Sequence, residues 1–138
     1  MATTYPVLTN RIRAGGFVQS EANYARSRDK VILEGGTGGA GIVYAGTVLG
    51  KVTSSGHYMP SPASGSDGSQ TAVAILWDDA DATHADVEVA ILARDAEVRA
   101  ADLTYEATVD TDNEKAAKWT QLAAVGIIVR VANDTQAT

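Results

Sequence analysis

The 138-residue chain contains no cysteine, which excludes a disulfide framework, a thiolate metal site and a cysteine nucleophile. Aromatic residues are scarce at 6%, so a core drawn from the 45% hydrophobic content must be built mainly from Val, Ile, Leu and Ala. No apolar run approaches the roughly twenty residues needed to cross a bilayer. The N-terminus also lacks an apolar segment of signal-peptide length, so the chain reads as soluble, with no membrane partner. Positive charge is in short supply, with 11 Lys and Arg against 17 Asp and Glu, a net charge of −6. Residues 1 to 28 hold four arginines against the single Glu21, so the start is basic and the body strongly acidic. An acidic body disfavours nucleic acid as a partner, because that binding needs clustered Lys and Arg to displace counterions from phosphates.

What the chain does have suits one domain. Residues 1 to 16 read as an N-terminal arm, with a proline, a closing Gly15-Gly16 and no helical periodicity. Tyr5, Val7, Leu8 and Ile12 have no obvious reason to be exposed there, which suggests an arm that orders against a partner. Residues 17 to 131 form the body and residues 132 to 138 a polar tail. The body is organised around Tyr44 to Val52, read as a strand in which Val48 and Leu49 face opposite sides. Gly46 and Gly50 punctuate it, and a glycine within a strand marks a bulge, a bend or a close backbone approach.

Further strands are expected from Phe17-Val18, over Lys30 to Leu33, at His57 to Met59, over Gln70 to Trp77 and over Val87 to Ala93. The run Gly36-Thr37-Gly38-Gly39-Ala40-Gly41 formally matches a dinucleotide-binding G-x-G-x-x-G after a strand. The match fails: the next residues, Ile42 to Val48, are β-branched and interrupted by glycine where a helix should begin, and no acidic residue lies between Glu34 and Asp67 to hold a ribose. A hairpin connection is the better reading, and no cofactor is expected. The acidic link Asp78 to Asp86 invites a calcium loop anchored on Asp79, Asp81 and Thr83. It places His84 where glycine belongs and Ala90 where a bidentate Glu belongs, so a solvated turn is expected instead. His57 and His84, the only histidines, have no zinc or triad spacing. Arg94 to Val98 reads as a segment that pairs its charges internally.

One helix is predicted, near the C-terminus. Thr111 and Glu114 have the spacing of a capping box, and Gly126 stands where a left-handed residue ends a helix. Ala116, Trp119 and Leu122 or Ala123 are expected on its inner face, with Trp119 as the anchor, and Ile127 to Val131 as a final strand. The expected core is Val48, Leu49, Ile75, Trp77, Trp119, Leu122 and Ile128. The fold class is mainly β with one short C-terminal helix.

The order of these elements and several phrases resemble the phage head-decoration family. The phrases are Ser20-Glu21-Ala22-Asn23, Ser27-Arg28-Asp29, Ala45 to Val52, Ile75-Leu76, Asp81-Ala82-Thr83, Arg94 to Val98 and Leu122 to Arg130. The resemblance runs from about Phe17 to Arg130 and includes no catalytic motif. It implies a β-clip-like bent ribbon, a homotrimer on the outer surface of an expanded virion capsid, assembled in the host cytoplasm, and no enzymatic activity. The partner would be the major capsid protein, the shell being cemented against internal DNA pressure. An arm bearing Tyr5, Val7, Leu8, Arg11, Ile12, Arg13 and Phe17 would order on the shell. Two other classes stay open: a small trimeric nucleotide pyrophosphatase holding Mg²⁺ on residues 78 to 86, and a carbohydrate or surface-adhesion module.

Overall fold

The computed structural model describes residues 12 to 131. Ten strands and two helices succeed one another as β1 (Val18–Glu21), α1 (Tyr24–Ser27), β2 (Arg28–Leu33), β3 (Gly41–Val43), β4 (Val48–Lys51), β5 (Tyr58–Pro60), β6 (Ala72–Leu76), β7 (Ala80–Ala82), β8 (Val87–Leu92), β9 (Ala96–Arg99), α2 (Asp112–Ala124) and β10 (Ile127–Arg130). The fold is mainly β with one substantial helix near the C-terminus. Five strands close a barrel in the order β2-β5-β4-β6-β8, β1-β9-β10 make a three-stranded sheet, and β3-β7 make a two-stranded ribbon.

Alternation along the barrel strands explains why they read as nearly continuous apolar runs. In β4, β6 and β8 the residues Val48, Ala72, Ile75 and Leu92 enter one core cluster. Their neighbours Leu49, Ala74, Leu76 and Ile91 enter a second. Successive side chains point to opposite faces, and here both faces are covered. The first cluster is completed by Phe17, Ala96, Val98, Leu103, Leu122 and Ile127, from the β1-β9-β10 sheet, α2 and the segments beside them. The second is completed by Leu33, Val43, Ala82 and Val89.

The stretch from Tyr44 to Val52 is a strand only over Val48–Lys51. Before it the chain turns at Gly46, φ +89°, with the Thr47 N–H donating to the Tyr44 carbonyl. Gly50 does mark an irregularity: the register with β6 slips between Leu49 and Gly50. A Cβ on Gly50 would lie 1.9 Å from the Ser69 carbonyl oxygen, so the approach excludes any other residue. The glycine-rich run does not join a hairpin, because β2 pairs with β8 while β3 pairs with β7. The acidic link is likewise not all turn, since Ala80–Ala82 within it is β7.

Helix α2 begins as expected. The Glu114 N–H donates to the Thr111 hydroxyl and the Thr111 N–H to the Glu114 carboxylate, and Gly126 comes after the helix with φ +88°. Its inner face differs from the expected one. Ala116 and Ala123 are exposed, Trp119 is half-buried with its Nε1 donating to the Tyr105 hydroxyl at 2.7 Å, and Lys118 joins Leu122 as a buried residue. The buried stripe thus runs through Lys118, Leu122 and Val125, at i, i+4 and i+7. The Gln121 side chain ties the helix to β6 by accepting from the Ala72 N–H.

Of the expected core, Val48, Leu49, Ile75 and Leu122 are buried, and Trp77 and Trp119 are half-buried against the first cluster. Ile128 is corrected: it is 37% exposed, and Ile127 is the residue turned inwards. Successive residues of β10 point to opposite faces of the sheet, and only the face that carries Ile127 is covered.

Lys118 is 2% exposed, and its Nζ donates to Ser61 Oγ at 2.9 Å and to the Pro62 and Gln70 carbonyls at 2.6 Å. Three ammonium protons meet three acceptors, which pins the loop between β5 and β6 against the helix. Burial holds the amine below its ordinary value. A Lys118→Met variant keeps the stem and leaves two carbonyls unpaired; each costs about 1–3 kcal/mol, partly offset by no longer burying an ammonium. A net loss of about 2–3 kcal/mol in urea unfolding is expected. A midpoint matching the parent would reduce the lysine to a space filler.

Candidate functional site

Where the N-terminal segment meets the body, its last residues are docked. Ile12 packs against the first core cluster, the Gly15 N–H donates to the Trp77 carbonyl at 2.9 Å, and the Gly16 N–H closes a turn onto the Arg13 carbonyl. Gly15 has φ +67°, and a Cβ there would lie 2.3 Å from the Trp77 ring. The turn aims Phe17 inwards, where it is fully buried and meets Trp77 edge-on with ring centroids 5.9 Å apart. Phe17 is therefore a core residue and not an arm residue. Arg13 is exposed. Tyr5, Val7, Leu8 and Arg11, the remaining residues expected in the arm, lie outside the described residues, as does the tail from 132.

Arg28 lies over the Trp77 ring, its guanidinium carbon 3.6 Å from the ring centroid. Arg28 is in turn held by Glu21, its Nε donating to Oε2 at 3.2 Å and its NH2 to Oε1. The Ser27 hydroxyl donates to the same carboxylate. Further ion pairs run along this side of the molecule: Arg26 with Asp95, Arg94 with Asp29 and Arg130 with Glu97. The segment Arg94 to Val98 thus pairs its charges outwards rather than internally, because Ala96–Arg99 is the central strand of the three-stranded sheet.

The Arg28 hydrogen bond, foremost, holds the Glu21 carboxyl below its ordinary value of 4.5. Ser20 and then Arg130 do the same for Glu97, and Thr83 does it for Asp81. A depressed folded-state value means that the unfolded chain takes up protons first as pH falls. The stabilisation is therefore complete above about pH 5 and is lost as pH drops through the folded values. Thermal melts should show a Tm that declines steadily below pH 5, with a shallower decline in Glu21→Gln. Identical acid slopes for the two proteins would show that Glu21 takes no part.

The carboxylates of the acidic link accept hydrogen bonds from the protein. Asp79 accepts from the Ala45 N–H at 2.8 Å, Asp81 from the Thr83 N–H and hydroxyl, and Asp86 from the Gly35 N–H. Residues 77 to 81 and 87 to 90 border an open cleft of about 500 Å³. His57 Nδ1 is buried without a hydrogen-bond partner, 3.6 Å from Glu34 and 3.7 Å from Asp86. Among the described residues no group of three or more His, Asp or Glu is placed to hold a metal ion, and no helix is long and apolar enough to cross a membrane. Sequence reasoning missed Arg28 and Glu21 as the support of Trp77. Their only local signal was a pair of charges flanking α1.

A family model described as bacteriophage lambda head decoration protein D matches residues 7–127. The match spans most of the chain, which belongs to that family of structural, capsid-associated virion proteins. A search of curated proteins returned no match.

Proposed function

We propose that this protein binds the outer surface of an expanded phage capsid as a homotrimer and cements the shell against internal DNA pressure, with the N-terminal arm as the contact with the major capsid protein. The family match carries the reading. The docked root at Ile12 to Gly16 supports it further, because it joins the arm directly to the core cluster through which force on the arm would pass. Tyr5, Val7 and Leu8 would add an extended strand to an exposed shell edge, main-chain hydrogen bonds giving affinity and alternate side chains specificity. Arg11 and Arg13 would favour an acidic capsid surface, making the association rate sensitive to salt.

The pyrophosphatase reading has no observation in its favour, since the carboxylates at residues 79, 81 and 86 are engaged with backbone amides. Nothing favours an adhesion module either. Co-sedimentation of the full chain with expanded, undecorated capsids should give saturable binding in multiples of three copies. Absence of binding to such particles at micromolar protein would sink the proposal.

A further inference from the structure

The structure assigns Trp77 a second role: with Arg28 and Glu21 behind it, its indole and carbonyl form a clasp that holds the arm's root and sets where the arm leaves the body. This inference rests on the capsid-binding reading and makes Trp77, Gly15 and Arg28 positioning residues for that contact. Five observations converge on one small region.

The Gly15 N–H is bonded to the Trp77 carbonyl, so the main chain of the root is tied to the residue just after β6. Trp77 is itself tied to the barrel, since its backbone N–H donates to the Ala90 carbonyl of β8 at 3.0 Å. The indole then occupies the space a side chain on Gly15 would fill, so root and ring are complementary only with glycine at φ +67°. The ring also carries the Arg28 guanidinium at 3.6 Å, inside the range of a cation–π contact, and Glu21 holds that guanidinium in place. Ile12, three residues before Gly15, completes the attachment by packing on the core.

The consequence is preorganisation. Residues 12 to 16 are already docked when the protein meets the shell, so their ordering adds no cost on binding. Each further residue to be ordered would lower affinity by a factor of roughly 5 to 30. A released root would also lengthen the tether and dilute the arm at its site.

The test uses the full chain carrying Gly15→Ala, Ile12→Ser as a second and milder release of the root, and a deletion of residues 2 to 11 as the control. Two readouts are taken: tryptic cleavage after Arg13 in the free protein, and affinity for expanded capsids. Both substitutions are expected to speed cleavage after Arg13 at least tenfold and to weaken capsid binding at least tenfold. The main melting transition should move by only a few degrees.

If Gly15→Ala and Ile12→Ser bind like the parent while the deletion fails to bind, the clasp is overturned and the arm reading survives. If the deletion itself binds like the parent, the arm reading falls and the clasp with it. Cleavage after Arg13 at the parental rate in both folded variants would likewise overturn the clasp, because the root would not have been released. Should Gly15→Ala fail to fold, the Ile12→Ser result decides alone.

Discussion

Deletion of residues 2 to 11 should reduce occupancy of expanded capsids at least a hundredfold while leaving the melting transition of the free protein in place. Stability should persist because the buried members of both described clusters, from Phe17 to Ile127, are all retained. Binding should collapse because an added strand of about eight residues contributes several main-chain hydrogen bonds, each worth a net 0.5–1.5 kcal/mol. Losing even about 3 kcal/mol of that total is a hundredfold in affinity. Cryo-electron microscopy of decorated particles gives the direct check. Density for the arm on the shell is expected with the full chain, and wild-type occupancy by the truncated protein would remove the arm from the mechanism.

Phe17→Ala is expected to do the opposite. The ring is fully buried in the first cluster and meets Trp77 edge-on, so its removal should cost about 3–5 kcal/mol of folding stability. Urea unfolding measures this as a large fall in midpoint at unchanged slope. Protein that remains folded at low temperature should still bind capsids, with affinity reduced only as far as the neighbouring root is disturbed. A variant of parental stability that failed to bind would return Phe17 to the arm. The two results together place the border between arm and body within residues 11 to 17.

That border illustrates how far the sequence could be read. A phenylalanine after two glycines looks the same whether the turn sends it outwards or inwards, because the direction is set by Trp77, 60 residues away. Local signals were legible: the Thr111 and Glu114 cap is written within four residues, and it formed. The barrel strands β6 and β8 were legible because burial on both faces leaves an apolar run. The short strands β3, β7 and β9 were not, since three or four residues such as Ala-Asp-Ala or Ala-Glu-Val-Arg gain strand geometry only from a distant partner.

Lys118 was invisible for another reason. Hydropathy assigns an ammonium to solvent, and only the three oxygens from Ser61, Pro62 and Gln70 make its burial tolerable. The support of the candidate site was hidden in the same way, Arg28 and Trp77 being 49 positions apart with nothing local to join them.

The three-stranded sheet also dictates an order of events during synthesis. Its central strand, β9, is flanked by β1 from near the start of the described chain and by β10 from its end. The barrel strands, all made before residue 93, can pair while translation continues. The first core cluster cannot close until Ile127 has emerged, and until then Phe17, Val98 and Leu103 lack their final cover. Pairings this remote in sequence form slowly, so the nascent chain passes through a stage with a finished barrel and an open apolar flank. Ribosomes stalled before β10 should therefore carry chains that recruit chaperones, whereas completed chains should not.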